Sequence, residues 1–430
     1  MFILDKLYPI AGKIRNNRSI LNGGLFAIYS FFSKGIAFLL VLILASFLTP
    51  DDFGRLSMFN TMVALFLIVV SFATNGYGSI SYFNDTKEDF KNSISIILLY
   101  GVISLFVIAL PIVFIIYVPV IDIPFSSYYC WYALLIAFCL FVFGIHQDYY
   151  RVQEKIRAYG VFNCGSAVAN MILSIFLVVI VFHTWEGRMY AYLGCSVALC
   201  IISLILLNKD KLLVVPTNKK KWKEILFWGI PMIPHAASGW LKQGADQYII
   251  NSNYTVYEVG IFGFAMTLTN IIATIGSAFN SSHSVSVFKI LSSDATDKIL
   301  ALKKQTRLML IVYIAASIVT VIASTVLVLL FYDKYRVSLP YFWILSISGL
   351  LQCVYFLYCN YLFYYSNTKQ LMYITFTTSI IHLLLSLIFT RYSLFLTACI
   401  YVLSQMIMNA FVYKKSIDLI KKNIENGKIY

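Results

Sequence analysis

Two lysines, Lys34 and Lys242, interrupt long apolar blocks in this 430-residue chain. A charge at the centre of a membrane-spanning helix costs at least about 2.5–3.5 kcal/mol, so it faces a cavity, a partner or a ligand. Helical spacing gives each lysine its surroundings. Ala27, Ser30, Lys34, Ala37, Val41 and Ala45 form one stripe of small residues. Pro231, His235, Ser238, Lys242 and Asp246 form a second. Thr267, Asn270, Thr274, Ser277, Ser281 and Ser284 form a third, without a charge. Lys242 and Asp246 stand four apart on one helical face and are expected to pair, in a structural or a functional role. The neighbours of Lys34 three and four positions away are Ser30, Phe31, Ala37 and Phe38, none of them acidic. Its partner must come from another helix or be an anionic ligand, and an ammonium binds phosphate as a point charge.

The candidate binding set is therefore Lys34, Lys242, Asp246, Asn270, Thr274, Ser277 and Ser281. The hydroxyl stripe also has a purely structural reading, because small and weakly polar residues let helices pack closely. His235, Asp246 and Asp148 are the candidate titratable groups, and an imidazole changes charge near neutral pH. His235 reads equally as a hydrogen-bonded helix histidine, and Asp148 as an ion-pair partner of Arg151. His146, His283 and His382 rank behind His235. No Walker motif, GxSxG, HExxH or DxD points to an enzyme. No metal or cofactor is expected beyond coupling to protons or sodium.

The elements that must hold these residues follow from composition. Hydrophobic residues make up 60% of the chain and charged ones 12%, about half the charge of a soluble domain. Twelve apolar blocks lie near 22–48, 56–82, 93–118, 126–149, 159–182, 188–207, 225–250, 259–286, 308–332, 338–362, 370–390 and 394–413. Backbone left unpaired in lipid is too costly for any spanning form but helix or closed barrel. Runs such as Phe38–Leu44 do not alternate as a barrel strand would. The first block follows Lys6, Lys13, Arg15 and Arg18 and is too long for a cleaved signal, so it reads as a retained span. The eight cysteines lie in or beside apolar blocks, outside any metal spacing, and read as small buried hydrophobes.

Connections on the side of the N-terminus hold 26 Lys and Arg; those on the other side hold five, at Arg55, Arg188, Lys334, Arg336 and Arg391. The bias predicts cytoplasmic N and C termini and an even number of spans. It also accounts for the net charge of +14 through contact with anionic membrane lipids, without nucleic acid. The cluster Lys219, Lys220, Lys221 and Lys223 reads first as a topology determinant. The outer connections leave no room for an extramembrane domain. A basic stretch at 208–223 divides the chain into six-helix bundles at 1–207 and 224–413, with a basic tail at 414–430. The halves match weakly: Phe53-Gly54 and Val259-Gly260 are 206 residues apart, as are Ser71 and Ser277, Asn75 and Ser281, and Gly78 and Ser284. Lys34 and Lys242 fall 208 apart. The chain thus reads as an all-α polytopic membrane protein of two repeated bundles, an arrangement in which a transport path lies between the halves.

Two stretches carry a family resemblance. FFSKGIAFLLVLILASFLTPDDFGRLS holds Leu48-Thr49-Pro50-Asp51-Asp52-Phe53-Gly54-Arg55-Leu56-Ser57. GIPMIPHAASGWLKQGADQYIINSNYTVYEVGIFGFA holds Gly229, Pro231, Pro234, Ala245-Asp246, Ile249-Ile250 and Glu258-Val259-Gly260. Both resemble the Wzx-type polysaccharide flippases of the multidrug/oligosaccharidyl-lipid/polysaccharide exporter superfamily, with a basic stretch at 151–160 as a third feature. Phe262 stands where that family often has Tyr. The resemblance implies movement of undecaprenyl-diphosphate-linked oligosaccharide, such as an O-antigen repeat unit, to the outer leaflet of a bacterial plasma membrane by alternating access. It casts Lys34 and Lys242 as diphosphate ligands, Asp246 and His235 as groups that tune or titrate the site, and the Asn270, Thr274, Ser277 and Ser281 stripe as a contact for sugar hydroxyls. Other polysaccharide-assembly proteins would be partners. A drug antiporter of the same superfamily is the first rival, and it would need more acidic residues in its cavity. A membrane polymerase or glycosyltransferase is the second, and it lacks an outer loop to hold its site.

Overall fold

A computed structural model describes residues 18–117, 123–293 and 298–425. Lys6, Lys13 and Arg15 of the N-terminal basic segment, and the end of the tail, lie outside them. Every regular element among the described residues is helical. The first half comprises α1 (Arg18–Phe47), α2 (Pro50–Ser71), α3 (Asn75–Asn84), α4 (Lys87–Tyr117), α5 (Tyr129–Val152), α6 (Ile156–Phe176) and α7 (Trp185–Lys209). The second comprises α8 (Lys219–Gly229), α9 (Ile233–Gly239), α10 (Ala245–Asn253), α11 (Val256–Ser292), α12 (Lys298–Phe331), α13 (Leu339–Tyr364), α14 (Thr368–Phe389) and α15 (Leu394–Glu425).

Among the described residues, eleven helices are long and apolar enough to cross a bilayer. The expected span at 225–250 is helical but broken. A 3₁₀ turn at Ile230–Met232 and a π turn at Trp240–Gly244 separate α8, α9 and α10. Pro231 and Pro234 each remove a backbone donor, which is the reason the first break falls there. The other expected spans are present with shifted ends. The second is α2 followed by α3, parted where Phe72 and Ala73 turn left-handed, at φ 46° and 52°.

The repeat shows in the local chemistry. Thr49 caps α2, accepting from the Asp52 N–H, with Pro50 beginning the helix and Asp51 and Asp52 in its first turn. Thr255, at the same 206-residue offset, caps α11 in a reciprocal box with Glu258. The two capped helices then cross at their paired glycines. A Cβ on Gly260 would stand 1.8 Å from the Pro50 carbonyl oxygen, and one on Gly54 would stand 2.2 Å from that of Val256. Backbone meets backbone here, so no side chain can give way.

Aromatic rings seal the same end. Phe264 stacks on Tyr335 with centroids 4.3 Å apart, and Phe53 meets both edge-on. The Tyr335 hydroxyl donates to the Leu48 carbonyl at 3.3 Å, that of Tyr332 to Leu42 at 3.0 Å, and Lys334 Nζ to Ser46 at 2.9 Å. The Trp240 indole and the Tyr248 hydroxyl donate to the α2 carbonyls of Thr61 and Met58.

At the opposite end the connecting stretch 208–223 folds onto the first half. Ser95 Oγ bridges the Leu212 carbonyl and the Val214 N–H, and Asn92 and Asp89 take Thr217 N and Asn218 Nδ2. Tyr100 donates to the Trp222 carbonyl. Lys221 is buried, with Nζ 2.8 Å from Asp85 and 3.1 Å from Glu224. One of the four clustered lysines is therefore an internal cross-link, while Lys219, Lys220 and Lys223 are exposed.

Two predictions follow from this frame. Gly260→Ala should part α2 from α11, an overpacking cost of about 1–3 kcal/mol or more. In a cysteine-free background a cysteine at position 270 should then react faster with an impermeant maleimide added from the α2–α11 end; an unchanged rate would contradict the role given to this crossing. The second concerns Asp85 and Lys221. Burial raises the Asp85 carboxyl, but the hydrogen bonds from Lys221 and Ser81 outweigh it and hold it below 3.8. Burial lowers Lys221, but Asp85 and Glu224 outweigh it and raise it above 10.5. A lowered acid stabilises the fold above its unfolded value and a raised base below its own, so the pair contributes fully from about pH 5 to 9. Lys221→Met should cost about 1–3 kcal/mol in that window. The difference from wild type in thermal unfolding should shrink as pH falls through the lowered Asp85 value; a pH-independent difference would remove the ion pair as its cause.

Candidate substrate-binding site

Lys34 and Ala45 lie on one face of α1, three turns apart. Ala45 is buried among Val328, Tyr332 and Tyr335 of the second half. Lys34, on the same face further from the sealed end, is exposed and has no hydrogen bond or ion pair among the described residues. On α11 the change comes at the same level. Val259 to Met266 are all buried, and Asn270 is exposed. Lys34 on α1 and Asn270 on α11 are thus both exposed on the side away from the sealed end.

Lys242 lies elsewhere. It borders a cavity of about 370 Å³, near the lower end of small-molecule sites at about 300–1,000 Å³. The cavity is walled by the second half alone, with His235, Ser238 and Lys242 from the broken helix, Asn270 from α11, Gln352 from α13 and Gln405 from α15. Discontinuous helices commonly form such sites in transporters, because unwound backbone is tolerated only where it borders a cavity. Lys242 is 6% exposed, and its Nζ donates to Gln405 Oε1 at 3.2 Å and lies 3.5 Å from Met408 Sδ. His235 Nδ1 is 3.2 Å from the Thr375 hydroxyl.

The expected pairing of Lys242 with Asp246 is not formed. The π turn at Trp240–Gly244 widens the helix between them, so four-residue spacing no longer places both groups on one face. Asp246 instead holds His382 of α14, whose Nε2 is 3.1 Å from each carboxylate oxygen and 3.1 Å from the Lys242 carbonyl. Asp246 is 1% and His382 0% exposed. Tyr401 meets the imidazole edge-on. Sequence reasoning ranked His382 low because its partner is 136 residues away. Its signal was the stripe Thr375, Ser379, His382 and Ser386 inside an apolar block.

The remaining candidates divide. Asn270 borders the cavity. Thr274, Ser277 and Ser281 continue its face of α11 but lie outside the cavity wall; Thr274 and Ser281 donate to carbonyls of their own helix. Asp148 pairs with Arg151 at 2.8 Å, away from the other candidates. Arg188, expected in an outer connection, is on the first turn of α7. Its guanidinium donates to Asn170 Oδ1 at 2.7 Å and Ser174 Oγ at 2.8 Å and covers the Tyr192 ring. Among the described residues no three His, Cys, Asp or Glu side chains group as metal ligands, and the eight cysteines are free thiols.

Residues 20–287 match the model of a family described as polysaccharide biosynthesis protein. The chain belongs to that family. It is 24% identical over 389 residues to Lsg locus putative protein 1 of Haemophilus influenzae, covering 84% of this chain and 88% of that one. It is 25% identical over 382 residues to an uncharacterized membrane protein of the same species, covering 83% and 87%. The fold is that of the lipid II flippase MurJ in an inward closed conformation, with a TM-score of 0.71 at 14% identity, over 91% of this chain and 87% of that one. It is also that of a multidrug resistance MATE family transporter of the MOP superfamily. Two conformations of that family compare at 13% identity. The inward-facing one gives a TM-score of 0.67, over 92% of this chain and 96% of that one, and the outward-facing one 0.56, over 95% and 97%. The polysaccharide family to which the two sequence stretches point is thus the one matched, and this family member is a multi-pass membrane protein.

The buried Asp246–His382 pair yields a prediction. His382→Leu strands a carboxylate in the interior, at a cost of about 3–5 kcal/mol. Adding Asp246→Leu should recover much of that loss in a thermal unfolding series of the purified protein. Losses that simply add would show that the two groups are not coupled.

Proposed function

We propose that this family member flips a lipid-linked oligosaccharide across the bacterial plasma membrane, with the undecaprenyl diphosphate of an O-antigen or related surface-glycan precursor as the carrier. The observation that carries the reading is Lys34, an ammonium exposed on the small-residue face of α1, with no acidic partner among the described residues. A diphosphate supplies the missing counter-charge. The polar α11 face of Asn270, Thr274, Ser277 and Ser281 takes sugar hydroxyls. The lipid tail stays in the bilayer beside the opening between the halves.

The cycle is alternating access about the Gly54–Gly260 crossing, with the basic connections on the cytoplasmic side. Asp246–His382 is the coupling element. A proton or sodium ion taken up there changes the charge one turn from Lys242 and biases the packing of α9, α10 and α14. Proteins that assemble or polymerise the glycan are the expected partners. The antiporter alternative receives less support, because no carboxylate borders the cavity to hold a cationic drug.

The test is complementation of a strain deleted for the gene, with surface glycan as readout and expression matched. Lys34→Ala should lower surface glycan by about tenfold or more, the scale of one charge-assisted hydrogen bond, and Lys34→Arg should restore most of it. Full export by Lys34→Ala would remove the diphosphate role.

A further inference from the structure

The cavity of Lys242 has a donor pattern that the flipping reading does not use. A lysine ammonium can only donate hydrogen bonds. Gln405 Oε1 accepts from it, so the Gln405 amide must turn its Nε2 outward, and that nitrogen donates to Gln352 Oε1. The direction then passes along the chain. Gln352 is left with its own Nε2 unpartnered among the described residues, on the cavity wall. One N–H of Lys242 also remains beyond its contacts with Gln405 and Met408.

On the opposite side the Thr375 hydroxyl gives its proton to the Met372 carbonyl. His235 Nδ1 shares a hydrogen bond with that hydroxyl, which leaves Nε2 of the ring to exchange one with a hydroxyl in the cavity. The wall thus offers a cation and an amide donor at one side and an imidazole nitrogen for a hydroxyl at another, and it includes no carboxylate.

We propose that this cavity is a subsite for an acidic sugar residue of the transported glycan, its carboxylate on Lys242 and Gln352 and a ring hydroxyl on His235. The inference rests on the flippase reading for the glycan but assigns Lys242 away from the diphosphate. The cavity is lined by the second half alone, whereas the diphosphate is tethered to a lipid tail that stays in the bilayer. A glycan residue can enter this depth. A single ammonium with amide donors matches one carboxylate better than the larger charge of a diphosphate. The neighbouring Asp246 does not compete, since His382 holds both its oxygens.

Binding to the full-length protein in nanodiscs tests this without requiring flipping, so a failure of the transport reading would not be mistaken for a failure of the subsite. The probes are D-glucuronate, D-glucose and inorganic pyrophosphate, followed by saturation-transfer NMR. Glucuronate should bind at least about tenfold tighter than glucose, the scale of a charge-assisted hydrogen bond. Lys242→Met should abolish that preference, Gln352→Leu should weaken it, and Lys34→Met should leave it unchanged. Gln352→Leu removes no charge, so it keeps the test readable if Lys242→Met fails to fold. Equal binding of glucuronate and glucose would overturn the proposal. So would displacement of glucuronate by pyrophosphate that is lost in Lys242→Met and kept in Lys34→Met, which would return Lys242 to the diphosphate.

Discussion

The close crossing of α2 and α11 at Gly54 and Gly260 sets the geometry of everything below it. Two backbones approach to a distance that admits no side chain on either. The Phe53, Phe264 and Tyr335 rings then fill the space around the crossing. Away from this sealed end, Lys34 of α1 is exposed, in a span where a charge left against lipid would be costly. The crossing also joins equivalent points of the two repeats, each just inside a helix capped by threonine.

The second half differs from the first in what it does with polarity. Its entering helix is broken twice, by prolines and by a π turn, and the breaks leave a side cavity with Lys242 on its wall. The same π turn separates Lys242 from Asp246 and frees the carboxylate for His382. A regular helix would have produced an intrahelical ion pair and no site. The first half shows a quieter version of the same economy: Arg188 is held by Asn170 and Ser174 on the inner face of α6 instead of lying in a loop.

Lys34 and Lys242 give the molecule two cationic positions of different character. Lys34 is exposed and unpartnered, suited to a group that arrives and leaves. Lys242 is buried and held in a directional chain through Gln405 to Gln352, suited to recognition. Asn270, exposed on α11, lies on the wall of the Lys242 cavity.

The sequence by itself determined the membrane class, the polysaccharide family and the stripes on which the polar groups lie. Those features depend on composition and on spacing within one helix, and hydrophobic length and helical period express them directly. The glycine pair could be read as an alignment of halves, though not as a contact. Tertiary structure alone decided which polar groups meet. The Asp246–His382 pair joins residues 136 positions apart, and the separation of Lys34 from Lys242 depends on how the two halves pack. The lost Lys242–Asp246 pair depends on one turn of π geometry that regular helical spacing cannot anticipate. Contacts between helices are set by packing across the fold, and no period along the chain encodes them.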